Sequence, residues 1–121
     1  MKTEYEWWEM AVDCMHRRVP KEYWKAFSVF ESKNIYPVAS CWTKKRKIRI
    51  SRMMNYAPEE NQIGSILHEL VHLCFGISPH NNEFRYRLNQ IGGDYYACNT
   101  YECFQRVKNE YKKKKNPFVV D

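Results

Sequence analysis

The stretch HELVHLCFGISPH, from His68 to His80, holds three histidines and one glutamate within thirteen residues. His68 and His72 are four residues apart, so on a helix their side chains lie on the same face. Glu69 is rotated from His68 by about 100°, so it is poorly placed to bind the same ion but can reach a water molecule beside it. The spacing therefore predicts a metal-binding helix face with a carboxylate next to it.

The letters around this stretch predict a long amphipathic helix. Pro58 suits the first helical position, and Glu59 and Glu60 suit the positive end of the helix dipole. Gly76 suits the C-terminal stop. The apolar residues of the helix recur at helical spacing and form a broad stripe, which consists of Ile63, Ile66, Leu67, Leu70, Val71 and Cys74.

The pattern His68-Glu69-x-x-His72 is the arrangement of zinc hydrolases, in which the glutamate is the general base. The alternative interpretation is two ordinary surface or core histidines on a helix. Because the pattern falls on a well-marked helix and its histidines lie off the apolar stripe, we favour a site for one zinc ion per chain.

A catalytic zinc site needs a third protein ligand and an open fourth position. The sequence offers His80, Glu83 and Asp94. We favour His80, because imidazole is the commonest metal ligand and the turn at residues 76–79 can bring it back beside the helix. Tyr95, Tyr96 and Arg85 are available to stabilise an oxyanion, and the sequence does not choose among them.

The rest of the chain predicts an α+β fold. A small antiparallel sheet is expected to pack beside the metal-binding helix, with helices at both ends of the chain. Ile48 and Ile50 should point inward, and Lys47, Arg49 and Ser51 outward. The predicted elements are helices at 3–18, 81–90 and about 100–113, and strands at 26–31, 40–42 and 47–51.

Length and composition favour one folded intracellular domain. The chain has 121 residues, 44% of them apolar and 16% aromatic, which excludes a disordered chain. We expect a single domain at 1–111 and a basic tail at 112–121. The N-terminus lacks the apolar stretch of a signal peptide, and no run reaches the ~18 apolar residues of a membrane span. We therefore expect a cytoplasmic monomer with reduced thiols and no membrane partner.

The formal net charge is +6, and the basic excess is uneven. Basic blocks attract polyanions, so we expect weak, salt-sensitive, sequence-independent binding of nucleic acid; the plainer alternative is a solubilising surface. Trp42, beside the first block, is expected to be a core anchor, and the alternative is stacking on unpaired bases. The two blocks consist of Lys44, Lys45, Arg46 and Lys47, and of Lys112, Lys113, Lys114 and Lys115.

Three segments together resemble the SprT-like (Spartan-type) zinc metalloproteases. They are the strand IRIS at 48–51 leading to Pro58-Glu59-Glu60, the stretch HELVH at 68–72, and PHNNEF at 79–84. The last is similar to the family's Pro-His-Gly-x-Glu-(Phe/Trp) segment, which carries the third zinc histidine. The resemblance covers roughly residues 38–93, and it implies that the domain at 1–111 is a SprT-like metalloprotease domain.

The resemblance also implies zinc on His68, His72 and His80, with Glu69 as the base. Family members cut proteins, and the best-known branch degrades proteins crosslinked to DNA, which implies DNA as a partner. The chain departs from the family in two places. Asn81 replaces a glycine, and asparagine tolerates left-handed backbone better than most residues. Cys98 and Cys103 alone replace the four cysteines of a zinc ribbon, so we expect no second zinc.

Two functional hypotheses follow. The first is a minimal zinc endopeptidase of the SprT-like type, acting on proteins or peptides. The second is a non-catalytic, zinc-containing nucleic-acid-binding module. The presence of Glu69 favours the enzyme, because a purely structural zinc site has no use for a base. A zinc-dependent nuclease is less favoured, because such sites usually lack a glutamate directly after the first histidine.

Overall fold

The computed structural model describes residues 1–34, 37–94, 105 and 108–113. The predicted α+β class is confirmed. In the predicted last helix at about 100–113, residues 105 and 108–113 are helical, and the others lie outside the described residues. Short 3₁₀ turns follow the first helix and the third strand. The principal elements are α1 (Glu4–Arg18), β1 (Ser28–Ser32), β2 (Ala39–Trp42), β3 (Lys47–Ser51), α2 (Glu59–Phe75) and α3 (Asn82–Gln90).

The three strands form a mixed sheet in the order β1-β3-β2. β2 and β3 are the predicted antiparallel hairpin, with Cys41 opposite Ile48. β1 is parallel to β3, with Val29 opposite Ile48, so the prediction of a wholly antiparallel sheet is corrected here. The cause is topological. After β1, the chain forms β2 at a distance that leaves room for one strand between them. The turn after β2 reverses the chain, so β3 fills this room and runs parallel to β1.

Helix α2 provides the centre of the core and packs against α1, β2 and α3. Most of the predicted apolar stripe is buried, and Leu70 and Val71 are fully enclosed. Pro58 has an extended ψ of 150° and is therefore the N-cap residue, one position before the helix. Gly76, at φ 66°, ends the helix in the left-handed conformation that the sequence predicts for this position.

Helix α1 covers the same core from the other side. It begins in a capping box, in which Thr3 accepts from the backbone of Glu6 and the Glu6 carboxylate accepts from the backbone of Thr3. Trp7 and Ala11 are buried against the core. Trp8 is half-buried and its indole nitrogen donates to the carbonyl oxygen of Phe27 at 3.0 Å.

The inner face of the sheet is confirmed at Ile48 and Ile50, which are both buried. The prediction that Arg49 and Ser51 point into solvent is wrong, because both are buried. The loop after β1 covers them. Arg49 donates to the Pro37 carbonyl oxygen from both terminal nitrogens, at 2.8 and 2.7 Å, and the Ser51 hydroxyl donates to the Asn34 carbonyl oxygen at 2.6 Å. Within the described residues, every helix is too short or too polar to cross a membrane.

Candidate metal centre

Three of the four histidines of the chain, His68, His72 and His80, converge beside α2. The Nε2 atom of His80 lies 3.1 Å from the Nε2 atom of His68 and 3.1 Å from that of His72. His68 and His72 are half-buried, whereas His80 is exposed, so the cluster is accessible from solvent. Within the described part of the chain, it is the only group of three or more His, Cys, Asp or Glu side chains placed to hold a metal ion.

The reversal after α2 brings His80 to the helix. Gly76 turns the chain, and the next residue, Ile77, is buried against the core. The Ile77 carbonyl oxygen lies 2.7 Å from Nδ1 of His72. A carbonyl oxygen can only accept, so Nδ1 of His72 carries the proton and Nε2 keeps a lone pair that faces the cluster.

Asn81 then begins α3 as its N-cap. Its side-chain oxygen accepts from the backbone N–H of Phe84 at 2.9 Å. Its φ of −86° and ψ of −172° are extended. The left-handed conformation considered from the sequence is therefore not used, and asparagine serves here as a capping residue, which glycine could not do through a side chain.

The geometry fits a zinc ion. Two nitrogens bound to one tetrahedral zinc at ~2.0–2.1 Å lie roughly 3.3 Å apart. The two 3.1 Å separations about His80 are close to that spacing. Three imidazoles are also a known ligand set for catalytic zinc. Glu83 and Asp94, the other sequence candidates for the third ligand, are both exposed and lie outside the cluster.

His68 and His72 are suited to bind a cation at neutral pH because burial favours their uncharged form. Burial, followed by the neighbouring His72 and His80, lowers the pKa of His68 to about 4. Burial also lowers the pKa of His72, although its hydrogen bond to Ile77 opposes the shift. Neutral imidazole is the form that ligates metals.

Glu69 lies on the sheet-facing side of α2, with only 5% of its surface exposed. Burial raises the pKa of its carboxyl to about 8, and the positive charge of Arg49 opposes that rise. Burial lowers the pKa of Arg49, and the charge of Glu69 raises it. Glu69 also acts on Cys41 of β2, whose pKa is raised to about 12, chiefly by burial. The environment thus favours an uncharged carboxyl, and a nearby cation would favour the carboxylate.

Sequence reasoning missed two residues at this centre. Arg49 was assigned to solvent, whereas its guanidinium is buried and interacts electrostatically with Glu69. Phe84 is fully buried, and its ring contacts all three histidine rings. A signal for Phe84 was available, because it is the apolar residue three positions after the N-cap of the helix that follows the third histidine. Tyr95, Tyr96, Cys98 and Cys103 lie outside the described residues.

The first basic block forms the exposed tip of the β2–β3 hairpin. Lys44, Lys45, Arg46 and Lys47 are all exposed. Trp42 is 47% exposed, so the expectation of a core anchor is wrong. Its ring instead packs on Phe30 at a centroid distance of 5.4 Å, and Nζ of Lys45 lies 5.4 Å from the Trp42 ring. In the second block, Lys112 and Lys113 lie on helical residues, and Lys114 and Lys115 fall outside the described residues.

Comparison with solved structures shows which fold this arrangement belongs to. The chain is similar to the metallopeptidase zymogen abylysin of Pyrococcus abyssi, with a TM-score of 0.60 and 15% identity, over 95% of this chain and 99% of that one. It is also similar to the metallopeptidase zymogen jannalysin of Methanocaldococcus jannaschii, with a TM-score of 0.61 and 16% identity over the same shares. No protein-family model and no curated protein matches the sequence. The chain therefore has the zincin-like fold of these metallopeptidase zymogens, with two histidines of its cluster on the central helix and the third after the turn that follows it.

Proposed function

We propose that the protein is a zinc-dependent endopeptidase of the SprT-like type, with one zinc ion on His68, His72 and His80. The observation that carries the proposal is the convergence of three imidazole nitrogens within 4.8 Å of one another, two of them 3.1 Å from that of His80, beside the helix that also carries Glu69. The metallopeptidase-zymogen fold supports it. We also propose a catalytic domain at 1–111, a basic tail at 112–121 and a monomeric state.

In this proposal, Glu69 is the general base. It takes the proton of the water that attacks the scissile carbonyl and later delivers it to the leaving amine. A zinc ion on the three imidazoles supplies the Lewis acid that polarises this carbonyl and makes the attacking water more acidic. His72 keeps its ring orientation through its bond to Ile77.

The substrate is proposed to be an extended polypeptide along β2. β2 is an edge strand of the sheet and packs on α2. An extended peptide can add to such an edge through its backbone, which gives affinity for many sequences. Cys41 lies in the middle of this edge, and its thiol is within electrostatic reach of Glu69. A peptide bound along β2 would thus lie close to Glu69.

The substitution Glu69→Gln tests the proposal. The amide is nearly isosteric and does not bind zinc here, so the variant should hold one zinc per chain while losing roughly 10²–10⁴-fold in the cleavage rate of an unstructured protein. Glu60→Gln is the matched control, because it makes the same change on the exposed first turn of the same helix. Zinc content is measured beside the initial cleavage rate, with and without single-stranded DNA.

Equal rates for Glu69→Gln and wild type would show that Glu69 is not the base. A wild-type protein that binds zinc and cleaves no substrate under either condition would remove the peptidase proposal. A selective loss in Glu69→Gln, with Glu60→Gln unaffected, is the expected result.

A second candidate function, nucleic-acid binding, is favoured by the exposed Trp42. The exposed indole, beside four exposed cations, has the composition of a surface that stacks on unpaired bases and follows phosphates. Nucleic-acid binding would bring the peptidase to DNA-bound proteins. In the alternative of a non-catalytic module, it would be the main function of the protein. The second block, Lys112 to Lys115, is proposed to contribute to the same binding.

Binding of labelled single-stranded DNA at increasing salt tests this candidate. Replacing Lys44, Lys45 and Lys47 by Gln should reduce the slope of log affinity against log salt by about one unit for each phosphate that the variant no longer neutralises. Trp42→Ala should weaken binding at every salt concentration and leave the slope unchanged. The control is the replacement of Lys2, Lys21 and Lys25 by Gln, which removes the same charge elsewhere. Equal binding by the hairpin and control variants would show that the hairpin is only a solubilising surface.

A further inference from the structure

The ring of Phe84 forms the floor of the metal centre. Its centroid lies 4.8 Å from that of His68, 4.7 Å from that of His72 and 4.9 Å from that of His80. The ring is tilted by 61°, 42° and 64° against these three imidazoles, and Phe84 is fully buried. One side chain therefore touches all three histidines of the cluster.

We propose that Phe84 is a positioning residue, which holds the three imidazole rings at the orientation that zinc requires. The inference rests on the metal site of the proposed function. It concerns the geometry and affinity of that site and not the proton transfer by Glu69. The competing interpretation is that Phe84 is an ordinary core side chain, which stabilises the fold and influences zinc affinity only through the stability of the folded state.

Three rings need such a support because side-chain torsions are otherwise free to change. An imidazole is attached through two rotatable bonds, and a hydrogen bond to a backbone carbonyl is the usual means of fixing one. His72 has this bond, to Ile77. A flat, rigid ring in van der Waals contact limits rotation of its neighbours without offering a competing polar atom. The Phe84 ring can do so for His68, His72 and His80 together.

Phe84 is itself fixed by the residue next to the third histidine. The Asn81 side chain accepts from the Phe84 backbone N–H at 2.9 Å, and the Asn81 carbonyl oxygen accepts from the Arg85 N–H at 3.1 Å. The cap ties the start of α3 to the residue that directly follows His80. His80 and Phe84 are therefore connected within one helical turn, and the Asn81 cap couples the position of Phe84 to that of His80.

The chain offers a matched control in Leu88. Leu88 is one helical turn beyond Phe84, is 1% exposed, and packs beside Gly93. Leu88→Ala should therefore disturb the same helix and core away from the histidine rings. Phe84→Leu removes the flat ring and keeps an apolar side chain.

The test measures zinc affinity by competition with a chromophoric chelator, together with the visible spectrum of the cobalt(II)-substituted protein. Apo-protein unfolding is measured in parallel, so that affinities are compared at conditions where each variant is folded. Phe84→Leu should weaken zinc binding about 10–100-fold, the range seen when a support of a metal ligand is removed, and should shift the cobalt bands. Leu88→Ala should keep the wild-type affinity and the wild-type bands, even if it unfolds more easily.

A second pair of variants tests the cap. Asn81→Ala removes the side-chain acceptor, and Asn81→Ser keeps one. Asn81→Ala should shift zinc affinity in the same direction as Phe84→Leu and by less, and Asn81→Ser should restore most of the affinity. Equal affinities for the two Asn81 variants would overturn the role of the cap.

Phe84→Leu with wild-type zinc affinity and wild-type cobalt bands would overturn the role of Phe84. Equal reductions of affinity in Phe84→Leu and Leu88→Ala would assign Phe84 to general core support and would also overturn it. Neither outcome depends on cleavage. Zinc binding without cleavage would remove only the peptidase proposal, and a wild-type chain that binds no zinc would remove both.

Discussion

The metal centre and the hairpin tip concentrate functional residues in opposite ways. At the metal centre, few ionisable groups lie in a partly buried space, and burial shifts the pKa values of His68 and Glu69 to about 4 and about 8. At the hairpin tip, four cations are exposed. Interactions among exposed charges are screened by water and salt, whereas those of buried groups are screened much less.

The number of charged residues in a segment therefore does not indicate where electrostatic interactions are strong. The hairpin has the larger net charge, but each of its cations stays hydrated. Glu69 can carry one charge, and whether its carboxyl is protonated depends on burial and on Arg49. We therefore expect substitutions at the centre to change affinity, stability and pH dependence, and removal of a lysine charge at the tip to change chiefly long-range attraction.

The largest effect is expected for His80→Ala. Removal of one imidazole should abolish tight zinc binding and all measurable cleavage, since zinc then lacks one of its three protein ligands. Wild type should gain about 2.7 kcal/mol of unfolding free energy at zinc concentrations a hundred times the dissociation constant, and the variant should gain almost none. Zinc content and denaturant unfolding with and without zinc measure this.

His16→Ala is the control for His80→Ala. His16 is the fourth histidine of the chain and packs on Trp24, with a centroid distance of 4.3 Å, away from the cluster. His16→Ala should keep full zinc stoichiometry. Full occupancy in His80→Ala, with a ligand supplied by Glu83 or Asp94, would show that the third ligand is wrongly assigned.

The next largest effect is the pH dependence contributed by Glu69. The unfolded chain releases the Glu69 proton near pH 4.5, whereas the folded metal-free chain keeps it until about pH 8. The folded state thus binds more protons between these values, so stability falls as pH rises through this window. The difference should amount to a few kcal/mol in order of magnitude.

Denaturant unfolding of chelator-treated wild type and Glu69→Gln, at several pH values from 4 to 9, measures this difference. The stability of wild type relative to Glu69→Gln should decline from about pH 4.5 to about pH 8 and then level off. All other ionisable residues are the same in both proteins, so the comparison isolates the contribution of Glu69. A constant difference across the window would mean that the carboxyl is not held protonated by burial.

A smaller but still large effect is expected for Arg49→Ala. Both terminal nitrogens of Arg49 donate to the Pro37 carbonyl oxygen, and the side chain is buried. The change should lower the unfolding free energy by roughly 2–4 kcal/mol, because it removes two charge-assisted hydrogen bonds that hold the loop after β1 and a cation near Glu69. Arg17→Ala, at an exposed ion pair with Asp13, should change it by less than about 1 kcal/mol. Similar reductions in both variants would contradict the distinction between buried and exposed charges.

The smallest effect on stability is expected at the hairpin tip. Lys44→Gln and Lys45→Gln should each change the unfolding free energy by within about 0.5 kcal/mol, because both side chains are exposed. Arg46 is the exception, because its φ is 51°. Arg46→Gly should be neutral or slightly stabilising, and Arg46→Val destabilising, because a β-branched residue is strained in that conformation. Thermal unfolding distinguishes these cases.

The local parts of the site follow from the sequence alone. The spacing of His68 and His72, the helix stop at Gly76 and the hairpin at 40–51 depend on backbone geometry over a few residues, so they can be predicted from neighbouring letters. The reversal that returns His80 to the helix is also local. These features were sufficient to predict the α+β class and to favour His80 over Glu83 and Asp94.

Features that depend on residues distant in the chain required the tertiary structure. β1 pairs parallel to β3 because of the path taken between β1 and β2, and the loop on that path buries Arg49, which an alternating strand pattern assigns to solvent. Trp42 is exposed because the sheet ends beside it, and Phe84 meets three histidines because α3 packs under α2. Periodicity specifies the direction of a side chain relative to its own backbone. What lies in that direction is set by packing between elements, which no local pattern contains.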